Sequence, residues 1–120
     1  MSNPVVHFEI SGRNGTALSE FYGKLFDWSI QHEPGMNYWM VPAQGEGSIG
    51  GGIAQPDHTE TPNRVTIYVQ VDDLQAYLDK AEALGGRTNV PPTGIPGVGE
   101  FAMLTDPEGN CIGLFKGQVP

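Results

Sequence analysis

Apolar and polar positions alternate from Val5 to Ile10: Val6, Phe8 and Ile10 lie on one side, Val5, His7 and Glu9 on the other. That period of two predicts a half-buried strand. After Ser11-Gly12-Arg13-Asn14-Gly15 the period changes, and Ala17, Leu18, Phe21, Tyr22, Leu25 and Phe26 recur at spacings of three and four. This predicts an amphipathic helix with Asn14 or Thr16 as its N-cap. Three short strands are predicted next, at Trp28 to His32, Asn37 to Val41 and Ser48 to Ala54, divided by Glu33-Pro34-Gly35 and Ala43-Gln44-Gly45-Glu46-Gly47. Residues 56–63 are polar, contain proline and have no period, which predicts a connector.

The pattern then begins again. Val65, Ile67, Val69 and Val71 alternate with Thr66, Tyr68 and Gln70, a strand with one aliphatic and one polar face. Asp72-Asp73 offers an N-cap, and Gln75 stands where it could close a capping box. Leu74, Tyr77, Leu78, Ala81 and Leu84 form the stripe of a second helix, stopped by Gly85-Gly86. Strands are predicted at Thr88 to Val90, Gly99 to Thr105 and Asn110 to Phe115, with Asp106-Pro107-Glu108-Gly109-Asn110 as the hairpin between the last two.

Strand, helix and three strands, twice over, is an α+β pattern: module one at about 4–55, the connector at 56–63 and module two at about 64–117 of one domain spanning 1–120. Each module has a sheet with one face covered by its helix and one face open. Two open faces placed together predict a cup or barrel-like mixed sheet, helices outside, with the polar strand faces lining it.

Charge narrows the partners. The 120-residue chain carries six Lys plus Arg against 14 Asp plus Glu, a formal charge of −8. It would repel nucleic acid and anionic membrane surfaces rather than bind them. Cys111 is the single cysteine, so no intrachain disulfide forms, and its plain reading is a small apolar residue in a strand. The start of the sequence has no apolar run resembling a signal peptide, so a cytoplasmic protein with a small-molecule ligand is expected.

The segments His7-Phe8-Glu9-Ile10, Phe21-Tyr22-Gly23-Lys24-Leu25-Phe26-Asp27-Trp28, Tyr68-Val69-Gln70-Val71-Asp72-Asp73-Leu74 and Asp106-Pro107-Glu108-Gly109-Asn110-Cys111-Ile112-Gly113-Leu114 occur in an order that resembles the vicinal oxygen chelate superfamily of glyoxalases, bleomycin resistance proteins and extradiol dioxygenases, in its glyoxalase-like branch. The resemblance spans nearly the whole chain. It implies a homodimer and a divalent metal (Zn, Ni, Mn or Fe) held by His and Glu from the first and last strands of each half, where the ion would polarise substrate oxygens. His7 falls on one ligand position. Its counterparts are Thr66, Gly113 and the run Gly50-Gly51-Gly52, which supply no further ligand. The expectation is therefore a cup without the full metal site and without a resident cofactor.

His7 and Glu9 share a face about 7 Å apart at a rise of about 3.3 Å per residue, close enough for a base and its orienting carboxylate, or for a hydrogen-bonded structural pair. They are the candidate catalytic residues together with Tyr68, whose phenol could donate to a ligand oxygen or serve as wall. Thr66, Gln70, Trp39 (or Tyr38 with Met40), Phe101, Met103 and Phe115 are candidate ligand contacts, and core packing would explain the apolar ones as well. His32 and His58 read as solvated, the glycine run as close packing or ligand approach, and Pro91-Pro92-Thr93-Gly94-Ile95-Pro96-Gly97 as a turn or flap. Two rivals to a metal-free binding cup stay open. One is a metal-dependent lyase, isomerase or dioxygenase in which His7 and Glu9 are joined by a carboxylate such as Glu100 or by a residue of a partner chain; the other is a protein that sequesters a cationic drug.

Overall fold

The computed structural model describes residues 2–56 and 64–117. Contacts divide the chain into two compact units, one from His7 to Thr66 and one combining the residues up to Val6 with those from Ile67 onward. The N-terminal residues thus group with the second half of the chain: Pro4 C=O accepts from Gln70 N–H at 2.9 Å, and Asn3 donates to Gln70 C=O at 3.0 Å. His58, expected in the connector, lies outside the described residues.

The first unit holds most of β1 (Val5–Ser11), α1 (Gly15–Phe26), β2 (Gln31–His32), β3 (Tyr38–Val41) and β4 (Gly50–Ala54). β1 pairs parallel with β4, β4 antiparallel with β3, and β3 antiparallel with β2. Asn14 is the N-cap of α1, its side chain accepting from Ala17 N–H at 3.0 Å. β2 is shorter than predicted because Ile30 N–H bonds Trp28 C=O in a tight turn and Trp28 joins a ring cluster with Phe8, Tyr22 and Phe26. β4 starts late because Ser48 closes a turn onto Gly45 C=O through both its N–H and its hydroxyl.

The second unit repeats the arrangement with most of β5 (Arg64–Gln70), α2 (Leu74–Ala83), β6 (Arg87–Ile95), β7 (Gly99–Thr105) and β8 (Cys111–Gly117). β5 is parallel to β8, and β8, β7 and β6 are successively antiparallel. Two βαβββ units with mixed pairing make the fold α+β, as the sequence pattern implies. The core of this unit is Val71, Leu74, Leu78, Ala102 and Leu114, with Val69, Tyr77 and Leu104 packed against it. Asp73 caps α2 by accepting from Ala76 N–H, and Gly85 beyond its end takes φ +102°, the left-handed geometry that stops a helix. The predicted capping box does not form; the Gln75 amide instead donates to Asp79 one turn on.

The proline segment, expected as a turn or flap, is strand from Pro91 to Ile95 and a turn at Pro96 and Gly97. β6 continues through Pro91 and Pro92 to Ile95, with register shifts against β7 between Thr88 and Thr93. Within this unit β6 lies at the outer edge beside β7 alone, where missing N–H groups are tolerated. The hairpin at Asp106 forms as predicted: its carboxylate accepts from the N–H groups of Glu108 and Asn110 and from the Asn110 amide.

Candidate functional site

In the first unit, strand alternation sorts the sequence candidates onto two faces. Phe8 lies over Gly51, Trp39 stands opposite Ile53 and packs onto Gly15 of α1, and Val41 and Ile53 are buried. That is the helix-covered face. His7, Glu9, Tyr38, Met40, Gly50 and Gly52 occupy the other face by register, since His7 opposes Gly50 while Glu9 and Met40 both oppose Gly52. Trp39, expected as a ligand contact, is therefore a packing residue that also stacks on His32 at 4.7 Å. Its neighbour Tyr38 takes the place on the His7 face. The signal was in the strand itself: Val41 is apolar and shares parity with Trp39, which turns Tyr38 and Met40 the opposite way.

His7 Nε2 and the Tyr38 hydroxyl are 2.8 Å apart, with the two rings nearly parallel at 14° and centroids 6.5 Å apart. Burial pushes the His7 pKa below its ordinary 6.5, so the imidazole is neutral at pH 7. A ring protonated on Nδ1 accepts at Nε2 from the phenol, and one protonated on Nε2 donates to the phenol oxygen. The phenol reaches this position because β4 is glycine there; a Cβ on Gly52 would meet the Tyr38 ring and hydroxyl.

In the second unit, Tyr68 stands opposite Gly113, which stands opposite Met103. Gln70, Phe115 and Phe101 form a parallel row. These six lie on the face away from α2, because the alternate residues Val69, Ala102 and Leu114 pack with the helix. Tyr68 covers Gly113 as Tyr38 covers Gly52, and a Cβ on Gly113 would meet the Tyr68 ring. Thr66, two positions before Tyr68 on β5 and the last residue of the first unit, is buried. Tyr68, Gln70, Phe101, Met103 and Phe115 thus share one face of these strands. Glu100 falls on the opposite parity, across from Lys116. Both border an open groove of about 550 Å³ beside the β6–β7 turn, which contains no residue of the Tyr68 rows. The chemistry-bearing side chains, rather than that groove, mark the candidate site. Cys111 is half-buried, with Asn89 donating to its sulfur at 3.7 Å.

A family model described as a glyoxalase-like domain matches residues 7–115. The chain belongs to the glyoxalase-like family. Among curated relatives this glyoxalase-like domain is 38% identical over 88 residues to CFP32 of Mycobacterium bovis, provisionally named a glyoxylase; the match covers 73% of this chain and 33% of that protein. It is 24% identical over 124 residues to the anthracycline biosynthesis protein DnrV of Streptomyces peucetius, covering 91% of this chain and 45% of that one. The domain therefore spans a third to less than half of the curated relatives it matches. A solved Mn(II)-bound glyoxalase from Novosphingobium aromaticivorans has the same fold at a TM-score of 0.66 and 20% identity, over 96% of this chain and 40% of that one.

Among the described residues no three His, Cys, Asp or Glu side chains come together as a cation site. His7 is the donor at the expected first-strand position; Gly50, Gly52 and Gly113 offer no side-chain ligand, and tyrosine rings cover the last two. Among the described residues, His7 with these glycines does not make up the three or four well-aimed ligands that a resident divalent ion needs.

Proposed function

We propose that this glyoxalase-like domain binds a small organic molecule through one of its oxygens on the His7, Glu9 and Tyr38 face, with protein groups in place of a metal. The contact between the neutral His7 imidazole and the Tyr38 hydroxyl, 2.8 Å apart, carries this reading. A neutral imidazole can take a proton at pH 7, and a phenol can donate to or accept from a ligand oxygen. Glu9 is assigned as the carboxylate that orients a polar ligand group. Tyr68 and Gln70 are assigned hydrogen-bonding roles in the second unit, where Phe101, Met103 and Phe115 suit a flat apolar ligand surface.

That apolar set, together with the similarity to DnrV, supports a second reading in which the ligand is a planar aromatic compound with ring hydroxyls. An NMR titration with 2-oxoaldehydes, catechols and hydroxyanthraquinones, followed at the His7 imidazole for the first unit and at the Tyr68 and Phe101 rings for the second, tests both. A saturable shift of these resonances supports the site, and the compound class that produces it selects between the readings. Signals unmoved by every class would overturn both.

A further inference from the structure

Asn14-Gly15 is a chemically reactive pair that the fold holds in an unreactive geometry. Of the six asparagines, Asn14 alone precedes a glycine. The backbone nitrogen that follows an asparagine can attack its side-chain amide carbon and close a cyclic imide, and glycine, with no Cβ, hinders that attack least. The other five precede Pro4, Tyr38, Arg64, Val90 and Cys111, which obstruct it with a side chain or, at Pro4, lack the N–H. Asn14 is exposed, so water reaches any imide that forms there.

Closure requires Gly15 N to lie on the same side of the Asn14 Cα–C bond as Cβ. At the observed ψ of 89° that nitrogen is turned nearly opposite to Cβ. Ala17 N–H pins the side chain by donating to its oxygen at 3.0 Å, and Leu18 N–H pins the backbone by donating to Asn14 C=O at 3.0 Å. Both are the ordinary start of a helix. A third bond is not: Gly15 N–H, the attacking group, donates to the Gln55 side-chain oxygen at 2.9 Å, from 40 residues away. The first N–H groups of a helix have no partner within it, so this one is satisfied from outside. Gln55 is itself held just beyond β4, its N–H donating to Asn37 C=O at 3.0 Å while the preceding Ala54 C=O accepts from Gly12 N–H at 3.0 Å. Attack requires the Gly15 proton to leave, and an amide oxygen is too weak a base to take it. The bond therefore keeps the nitrogen unreactive as well as in place.

We infer that Asn14 is a latent modification site, kept unreacted in the folded chain by the bond from Gly15 to Gln55. When that bond opens, Gly15 N joins Asn14 Cγ, the bond from Cγ to the side-chain nitrogen breaks, and ammonia leaves with the proton from Gly15. Water then adds to either imide carbonyl and opens the ring to aspartate or isoaspartate. Isoaspartate carries the backbone through one extra methylene just before Gly15, which is buried beneath the Trp39 ring, so the reaction disturbs the seat of the residue next to Tyr38 in β3. The inference is independent of the ligand reading. Peptide mapping by mass spectrometry of the whole chain, aged in mildly alkaline buffer with and without guanidinium, tests it. In guanidinium Asn14 should react first among the asparagines, and in native buffer it should stay intact far longer. Gln55→Ala, checked for folding by circular dichroism, should lose native Asn14 roughly two- to tenfold faster than wild type, the factor one hydrogen bond is worth in an opening equilibrium. Gln55→Glu, which keeps an acceptor oxygen, should stay near wild type. Slow hydrogen exchange at the wild-type Gly15 amide reads the same bond even if Gln55→Ala misfolds. Native wild type that reacts as fast as the unfolded chain, a folded Gln55→Ala that reacts no faster than wild type, or a Gly15 amide that exchanges as freely as an exposed one would each overturn the assignment.

Discussion

His7 on β1 and Tyr38 on β3 meet across the glycine strand β4, imidazole nitrogen to phenol oxygen at 2.8 Å, although 31 residues separate them in sequence. Neither strand touches the other directly: β4 lies between them, and its glycine at position 52 lets the tyrosine ring cross. The pairing thus rests on three sequence features at once, a histidine, a tyrosine and a residue without a side chain.

The first consequence is a pH dependence. Burial holds the His7 pKa below 6.5, so the folded protein binds this proton less readily than the unfolded chain does. The stability His7 contributes is fully present above about pH 6.5 and is lost as pH falls through its lower folded value. Urea unfolding between about pH 5 and 8 should show the wild type weakening toward acid more steeply than His7→Gln. Parallel curves for the two proteins would contradict a buried neutral imidazole.

Gly52→Ala should push Tyr38 off His7. Forcing a methyl into an occupied space costs about 1–3 kcal/mol, and removing the ring should recover most of it. In a double-mutant cycle Gly52→Ala with Tyr38→Ala should therefore be more stable than the sum of the single changes, and Gly113→Ala with Tyr68→Ala should behave likewise in the second unit. Additive effects would mean that the glycines do not make room for the rings.

In the second unit, Leu78 is 1% exposed and Leu84 is 72% exposed, although the sequence places both on one stripe. Leu78→Ala should cost about 2–5 kcal/mol in urea unfolding, whereas Leu84→Ala should fall within about 0.5 kcal/mol of wild type. Similar losses would show that the stripe is buried along its whole length.

The caps of α2 separate in the same way. Asp73→Ala should cost about 1 kcal/mol by removing the acceptor for Ala76 N–H. Gln75→Ala should cost a few tenths at most, because its amide reaches an exposed Asp79 rather than the helix start. A large loss in Gln75→Ala by thermal melting would restore the capping box.

Much of this arrangement was legible from period and punctuation. The repeated strand, helix and three strands follow from alternation, from spacings of three and four, and from glycine-rich turns. The rows through Tyr68, Met103 and Phe115 follow from the period of two alone. What sequence did not reveal was orientation that depends on neighbours. Trp39 went to the helix side because Gly15 leaves room for its ring, and α1 buried Gly15 rather than its phenylalanines for the same reason. Pro91 and Pro92 read as a turn or flap because a proline signals a break, yet beside one neighbour only, their missing donors cost nothing in the ladder. Tyr38 was visible only as an alternative to Trp39 until the register of β3 against β4 fixed its face.

The most direct test of the account is thermal unfolding of chelator-stripped protein with a panel of small carbonyl and phenolic compounds, with and without Zn, Ni, Mn and Fe(II), repeated on His7→Ala and Tyr38→Phe. A native-state ligand raises the melting temperature by mass action. The account predicts that at least one organic compound raises it without added metal, and that either substitution abolishes the rise. A rise that requires a metal, or one that survives both substitutions, would contradict it.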